Sequence, residues 1–176
     1  MFKMIRLILL LPATVWAQTS PPIDVWEPFQ FFVGKWIGEE TGKAGIGEGE
    51  RSYELVLGGK YLHFKNKSTF KPQEQNPKGE VHEDWTFYSY DRFRKTFIMR
   101  QFNIEGLVNQ FVLDSLSTDG KTLVFISEQV ENGPAGFRAR MTYNITDAHA
   151  FVETFELAPP EKEFTVYLKN SWKRIE

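Results

Sequence analysis

Short apolar-rich segments recur along almost the whole chain, each ended by a turn signal, and that rhythm limits the fold more than any other feature. From Val33 onward the segments arrive about every ten to fifteen residues, the spacing of a β-sandwich or β-barrel. The strand candidates are 33–41, 48–57, 60–70, 79–90, 95–103, 107–116, 122–130, 136–145, 150–157 and 163–175. Gly58-Gly59 is the strongest local signal, a two-residue hairpin turn in which both centres take positive φ without steric cost. It sets the register of the third strand against the second. Thr118-Asp119-Gly120-Lys121 is a second hairpin turn, of Asp-Gly type. Ten strands joined by short links imply an antiparallel up-and-down meander.

An open meander would leave its first and last strands as long, apolar, unpaired edges, so closure into a barrel is the economical solution. Turn spacing alone leaves a two-sheet sandwich as the structural rival. The expected fold is therefore all-β, an antiparallel barrel of about ten strands with a lumen wide enough for a small ligand. Asp24 is expected to cap one short N-terminal helix carrying Val25, Trp26, Phe29 and Phe32, lying across one mouth. Gly34-Lys35-Trp36-Ile37-Gly38 opens the first strand, and Gly34 and Gly38 let other backbone approach the large Trp36 indole. Trp36 is thus expected to plug the closed end.

The start of the chain reads differently. Lys3 and Arg6 precede an apolar run from Leu7 to Val15, and Val15-Trp16-Ala17 offers a small residue for cleavage before Gln18. This is the plan of a secretory signal peptide over residues 1–17, with an apolar run too short to span a membrane. Residues 18–176 would form one barrel domain, exported to the periplasm or secreted, with no transmembrane segment. The formal net charge of the full chain is −2, and losing Lys3 and Arg6 makes the remainder more acidic. That argues against a nucleic-acid partner, which needs a basic face. There is no Cys, so disulfides, thiolate nucleophiles and Cys-ligated metals are excluded. The core must hold the fold, and 16 Phe, 6 Tyr and 5 Trp supply it.

Catalytic motifs are lacking. No serine sits in a nucleophile elbow and no glycine-rich loop opens a helix to cradle phosphate. Glu80, His82 and Asp84 share one face of the fourth strand and could hold a divalent ion. Val81, Trp85 and Phe87 on the opposite face turn that trio toward solvent, so no metal site is assigned. The same parity argument gives a pocket lined by Tyr53 and Leu55, Trp85 and Phe87, Ile98 and Phe102, and Met141 and Tyr143. Arg100, in step with Ile98 and Phe102, would point inward to meet an anionic head group. Tyr61 and His63, two apart on the third strand, join the candidate lining, the alternative for His63 being that it points out to water. The alternative for Arg100 is pairing with an acidic residue on the wall, or a bulge that breaks the parity.

Three motifs together carry a resemblance: Gly34-x-Trp36-x-Gly38, Leu57-Gly58-Gly59-Lys60-Tyr61-Leu62, and Tyr90-Asp91 followed by basic residues. They resemble a family of uncharacterised bacterial barrel proteins that is similar to the nitrobindins and to the calycin group of lipocalins and fatty-acid-binding proteins. The resemblance runs from Phe29 to Ile175 and implies a calycin-like barrel with a pocket. In calycins the first-strand Trp packs beneath a basic side chain of the last strand, which implies Arg174 or Lys173 over Trp36. Nitrobindins bind haem through a last-strand histidine, and matching that strand puts Tyr167 in its place. A phenolate can ligate ferric haem, so haem is the alternative cofactor implied; otherwise Tyr167 is a plain wall tyrosine.

Three functions follow as expectations. The first is an exported barrel holding a small apolar or amphipathic, lipid-like molecule. The second is a haem-binding, nitrobindin-like barrel. The third is a non-catalytic envelope interaction protein with a closed interior.

Overall fold

Ten antiparallel strands run in sequence order around a closed ring, and the last hydrogen-bonds to the first. The computed structural model describes residues 24–176; the signal-peptide segment and Pro21-Pro22 lie outside the described residues. The strands are β1 (Gly34–Gly42), β2 (Gly45–Val56), β3 (Tyr61–Phe70), β4 (Glu80–Asp91), β5 (Thr96–Asn103), β6 (Val108–Leu116), β7 (Thr122–Glu131), β8 (Arg138–Asp147), β9 (Ala150–Ala158) and β10 (Thr165–Arg174). The β1–β10 seam pairs Trp36 with Arg174 and runs to Gly42 opposite Leu168. Closure removes both edges that the meander would expose, and the sandwich alternative falls with it. Among the described residues no helix is long and apolar enough to cross a membrane.

Two local expectations are corrected. The turn between β2 and β3 spans four residues, Leu57 to Lys60, with φ of 51°, 70° and 75° at Leu57, Gly58 and Gly59. Its register, Val56 opposite Tyr61, is the one a two-residue Gly-Gly turn would also impose, so the facing of β3 is unchanged. The N-terminal helix is a single 3-10 piece, Glu27–Phe32. Pro28 lacks an N–H and is accommodated in a first turn, and only seven residues separate Trp26 from β1, too few to propagate an α-helix against its nucleation cost. The Asp24 carboxylate accepts from the Trp26 backbone N–H at 2.9 Å, which starts the turn.

This 3-10 turn stoppers one end. Phe29 and Phe32 point into the barrel, and Trp26 packs beside them with its Nε1–H donating to the Gly59 carbonyl at 2.7 Å. Phe29 lies 4.5 Å from Phe97 and 5.5 Å from Tyr88, ring centre to ring centre. Trp36 is fully buried next to them, 4.8 Å from Phe151, with its Nε1–H donating to the Phe32 carbonyl. The Arg174 guanidinium sits 4.3 Å above the Trp36 ring and donates to the Val33 and Phe31 carbonyls. The lower half of the barrel is therefore a solid aromatic core, and any site must lie above it.

Candidate functional site

Above the aromatic layer the interior changes character. Trp172 stacks on Phe151, and the Arg51 guanidinium lies over Trp172, 3.8 Å from its ring centre, and 4.8 Å from the ring centre of Phe64. Arg51 Nη2 meets Glu153 Oε2 at 2.6 Å, and both side chains are almost wholly buried. Arg51 Nε donates to Asn66 Oδ1, Asn66 Nδ2 to Ser68 Oγ, and Ser68 Oγ to Glu40 Oε1, a chain of bonds between 2.7 and 3.0 Å. Glu153 Oε2 also accepts from Asn170 Nδ2 and from Trp172 Nε1, each at 3.3 Å.

The charges are mutually dependent. Burial is the largest single influence and works against the Arg51 charge, but Glu153, Tyr53, Glu40 and Tyr143 together outweigh it and hold the guanidinium well above its usual pKa. Burial pushes the Glu40 carboxyl above the usual carboxylate range, with Arg51 and the Ser68 hydrogen bond pulling the other way. Removing one partner of such a pair leaves an uncompensated buried charge, which costs about 3–5 kcal/mol.

Over this floor opens a cavity of about 480 Å³. One wall is polar, carrying Asp84, Gln101, Asn103 and Asn109; Gln101 donates to Asp84 at 3.0 Å and Asn109 to Gln101 at 3.1 Å. The other wall is apolar, with Phe137, Phe155, Leu157 and Leu168. At the rim, one atom from each of Glu80, His82 and Glu105 falls within 4.8 Å of the others. His82 Nδ1 is 2.7 Å from Glu105 Oε1, and its Nε2 is 3.5 Å from Asp84 Oδ2. The Asp84 hydrogen bond, aided by Glu105 and opposed by burial, raises its pKa from 6.5 to about 9. His82 is therefore an imidazolium clamped between carboxylates at neutral pH.

Most of the residues assigned to the pocket from sequence stand elsewhere. Trp85 is on the outer face and 53% exposed, and Arg100 is also outside, donating to Ser89 Oγ. Ile98 and Phe102 share that outer face with Phe87, across strands from Ser89, Trp85 and Arg100. Tyr61 points outward from β3. His63 does too, but it is covered by Phe87, whose ring lies parallel to the imidazole at 4.4 Å. Tyr53 and Tyr143 do face inward, yet both are sealed in the aromatic core below the cavity, where burial pushes their phenols well above the usual pKa. Leu55, near the end of β2, is 37% exposed. Of the residues expected to line the pocket, Met141 and Tyr167 reach the cavity wall.

The reason is an inverted alternation on β4 and β5. Glu80, His82, Asp84 and Thr86 form the inner row and Val81, Trp85 and Phe87 the outer one. The rule that apolar residues face in fails where the interior itself is polar. The trio Glu80, His82 and Asp84, expected at solvent, thus lines the mouth.

No family model and no curated protein matches the chain. Among solved structures, the crystal structure of Rv2717c from M. tuberculosis matches with a TM-score of 0.67 at 12% identity, covering 88% of this chain and 99% of that one. That likeness shows the fold alone. It supports a closed ten-stranded barrel and says nothing of a ligand.

The cavity fits haem poorly. The Tyr167 ring meets Phe155 edge-on and carries the Lys43 ammonium 5.5 Å from its centre. In the cavity it lines, the carboxyl groups of Glu40, Glu80, Asp84, Glu105 and Glu153 outnumber the cationic Arg51, His82 and Arg138, which disfavours the anionic propionates of a haem.

The residues that build the floor carry a sequence signal that apolar patterning passes over. Arg51 is in step with Tyr53, Glu153 with Phe151 and Phe155, Asn170 with Trp172, and Glu40 with Trp36. A charged or amide side chain set in an otherwise buried row is unusual unless it is paired, and here each is.

Proposed function

We propose that this is an exported, calycin-like barrel that binds a small amphipathic molecule in its open half. One observation carries the reading: above the sealed aromatic half lies a cavity of about 480 Å³ with Asp84, Gln101, Asn103 and Asn109 on one side and Phe137, Phe155, Leu157 and Leu168 on the other. The polar end of the ligand would rest against the first side, with its apolar part along Phe155, Leu157 and Leu168. Arg100, which is outside, does not take the head-group role. A closed interior, the third expectation, is disfavoured by the cavity volume.

Native mass spectrometry of the protein purified from cells without detergent, together with titration of Nile red, tests this. A retained small-molecule mass, or dye fluorescence lost in Leu168→Arg, supports it. A bare protein mass combined with no dye binding refutes it.

A further inference from the structure

The rim of the cavity holds one more carboxylate than its imidazolium needs. Glu80, His82 and Asp84 alternate along the inner row of β4, and Glu105 comes from the turn between β5 and β6. Two backbone bonds fix that turn: Ile104 N–H donates to the Glu83 carbonyl at 2.9 Å, and Asn103 N–H to the Leu107 carbonyl at 3.0 Å. The backbone therefore decides which side chains meet. One ligating atom from each of Glu80, His82 and Glu105 lies within 4.8 Å of the other two. These side chains can be reached from solvent, since Glu80 is exposed and those of His82 and Glu105 are 27% and 45% exposed.

The imidazole is oriented from behind. Asp84 is buried, and its Oδ1 accepts from Gln101 Nε2 at 3.0 Å and from Thr86 Oγ1 at 3.3 Å. Its Oδ2 is left to face His82 Nε2 at 3.5 Å. A carboxylate only accepts, so Nε2 keeps its hydrogen and Nδ1, which faces Glu105 Oε1 at 2.7 Å, is the nitrogen that can ligate. A histidine that binds a metal through one nitrogen usually gives its other N–H to a carboxylate, which sets the ring and its tautomer.

An ion pair alone does not account for Glu80. Protonated His82 already serves Glu105 and Asp84, and a third carboxylate beside them adds only repulsion. Among the described residues Glu80 is held by no closer side-chain hydrogen bond than that from Asn76 Nδ2 at 3.5 Å. A divalent cation in place of the Nδ1 proton would draw all three groups together. Donors about 2.0–2.2 Å from one ion stand about 3–3.5 Å apart, so Glu105 has only to part slightly from Nδ1 while the exposed Glu80 side chain swings in.

We infer that the mouth of the barrel binds one divalent transition-metal ion of the zinc kind, through His82 Nδ1 and the carboxylates of Glu80 and Glu105, with Asp84 positioning the imidazole. One nitrogen with two carboxylates suits Zn2+ better than Ca2+ or Mg2+, which favour oxygen ligands alone. Three protein groups leave a four-coordinate ion one place for water or for a group on a molecule in the cavity. Binding sends the Nδ1 proton to solvent, so the protonated clamp and the metal-bound site are alternative states of the same side chains. This goes beyond the amphipathic-ligand reading and does not depend on it; Nile red binding reports on that reading separately.

The test is calorimetric titration of the chelator-stripped protein with Zn2+ at pH 8, with Co2+ as a paramagnetic NMR probe of His63, His82 and His149. One Zn2+ per chain is expected, and about a hundredfold excess of Mg2+ or Ca2+ should not displace it. His82→Gln and Glu105→Gln should each weaken binding at least tenfold, and Asp84→Asn about 10- to 100-fold. Glu83→Gln, on the outer face of the same strand, should leave it unchanged. Co2+ should broaden the His82 imidazole resonances and spare those of His63 and His149. No Zn2+ uptake, uptake unaltered in both His82→Gln and Glu105→Gln, displacement by Mg2+ or Ca2+, or broadening centred on another histidine would each overturn the assignment. The Co2+ experiment uses the wild-type chain, so it is decisive even if a variant does not fold.

Discussion

At the scale of single residues, the interior is governed by pairing of buried charge. Arg51, Glu153 and Glu40 occupy positions that a simple core would give to Leu or Phe, and they survive there because every charge has a partner within hydrogen-bond reach. His82 shows the same logic at the rim and has a measurable consequence. Its folded pKa of about 9 lies above the ordinary 6.5, so folding takes up a proton between those values. The stabilisation is fully present below about pH 6.5 and is lost as pH rises through about 9. Urea midpoints at pH 6 and pH 10 are expected to show His82→Gln less stable than wild type at the lower pH, with the gap closed at the higher one. A gap that persists unchanged at pH 10 would mean that packing rather than charge makes the difference.

At the scale of elements, glycine makes room for the aromatic that supports the floor. Gly38 on β1 and Gly49 on β2 are paired across strands, and a Cβ on either would run into the Trp172 indole. These positions therefore let a large ring lie against bare backbone, and the ring in turn carries Arg51. Gly49→Ala is expected to cost about 1–3 kcal/mol through overpacking, seen as a lower thermal midpoint. It should also weaken Nile red binding, because the indole that supports Arg51 must shift. A variant as stable as wild type would show that the seam has slack that the geometry denies.

At the scale of the whole molecule, the barrel has two unlike halves and an outer wall that is partly apolar. Trp26, Trp36 and Trp172 are buried, whereas Trp85 stands on the outside with Val81 and Phe102. Acrylamide quenching tests this inside-out arrangement. Trp85→Phe is expected to remove the most readily quenched part of the emission and leave the protected part intact. Equal quenching before and after the substitution would place Trp85 inside, where alternation of apolar residues had put it.

Strand number, turn positions and closure are legible in the sequence, because turn chemistry and the cost of bare edges act locally and leave marks in the residues themselves. So does the aromatic stopper, since Trp36 between two glycines has few other uses. The facing of β4 and β5 is not legible. Alternation identifies two rows on a strand but names the inner one only by assuming that the interior is apolar, and here half of it is not. Glu80, His82 and Asp84 looked like a solvent row, and Trp85 with Phe87 like a wall. Only the closed ring, which forces every inner side chain against residues from strands distant in sequence, brings Glu40, Arg51, Glu153 and Asn170 together and makes their burial affordable. The container was written along the chain; the polar floor of its cavity exists only once the ring is shut.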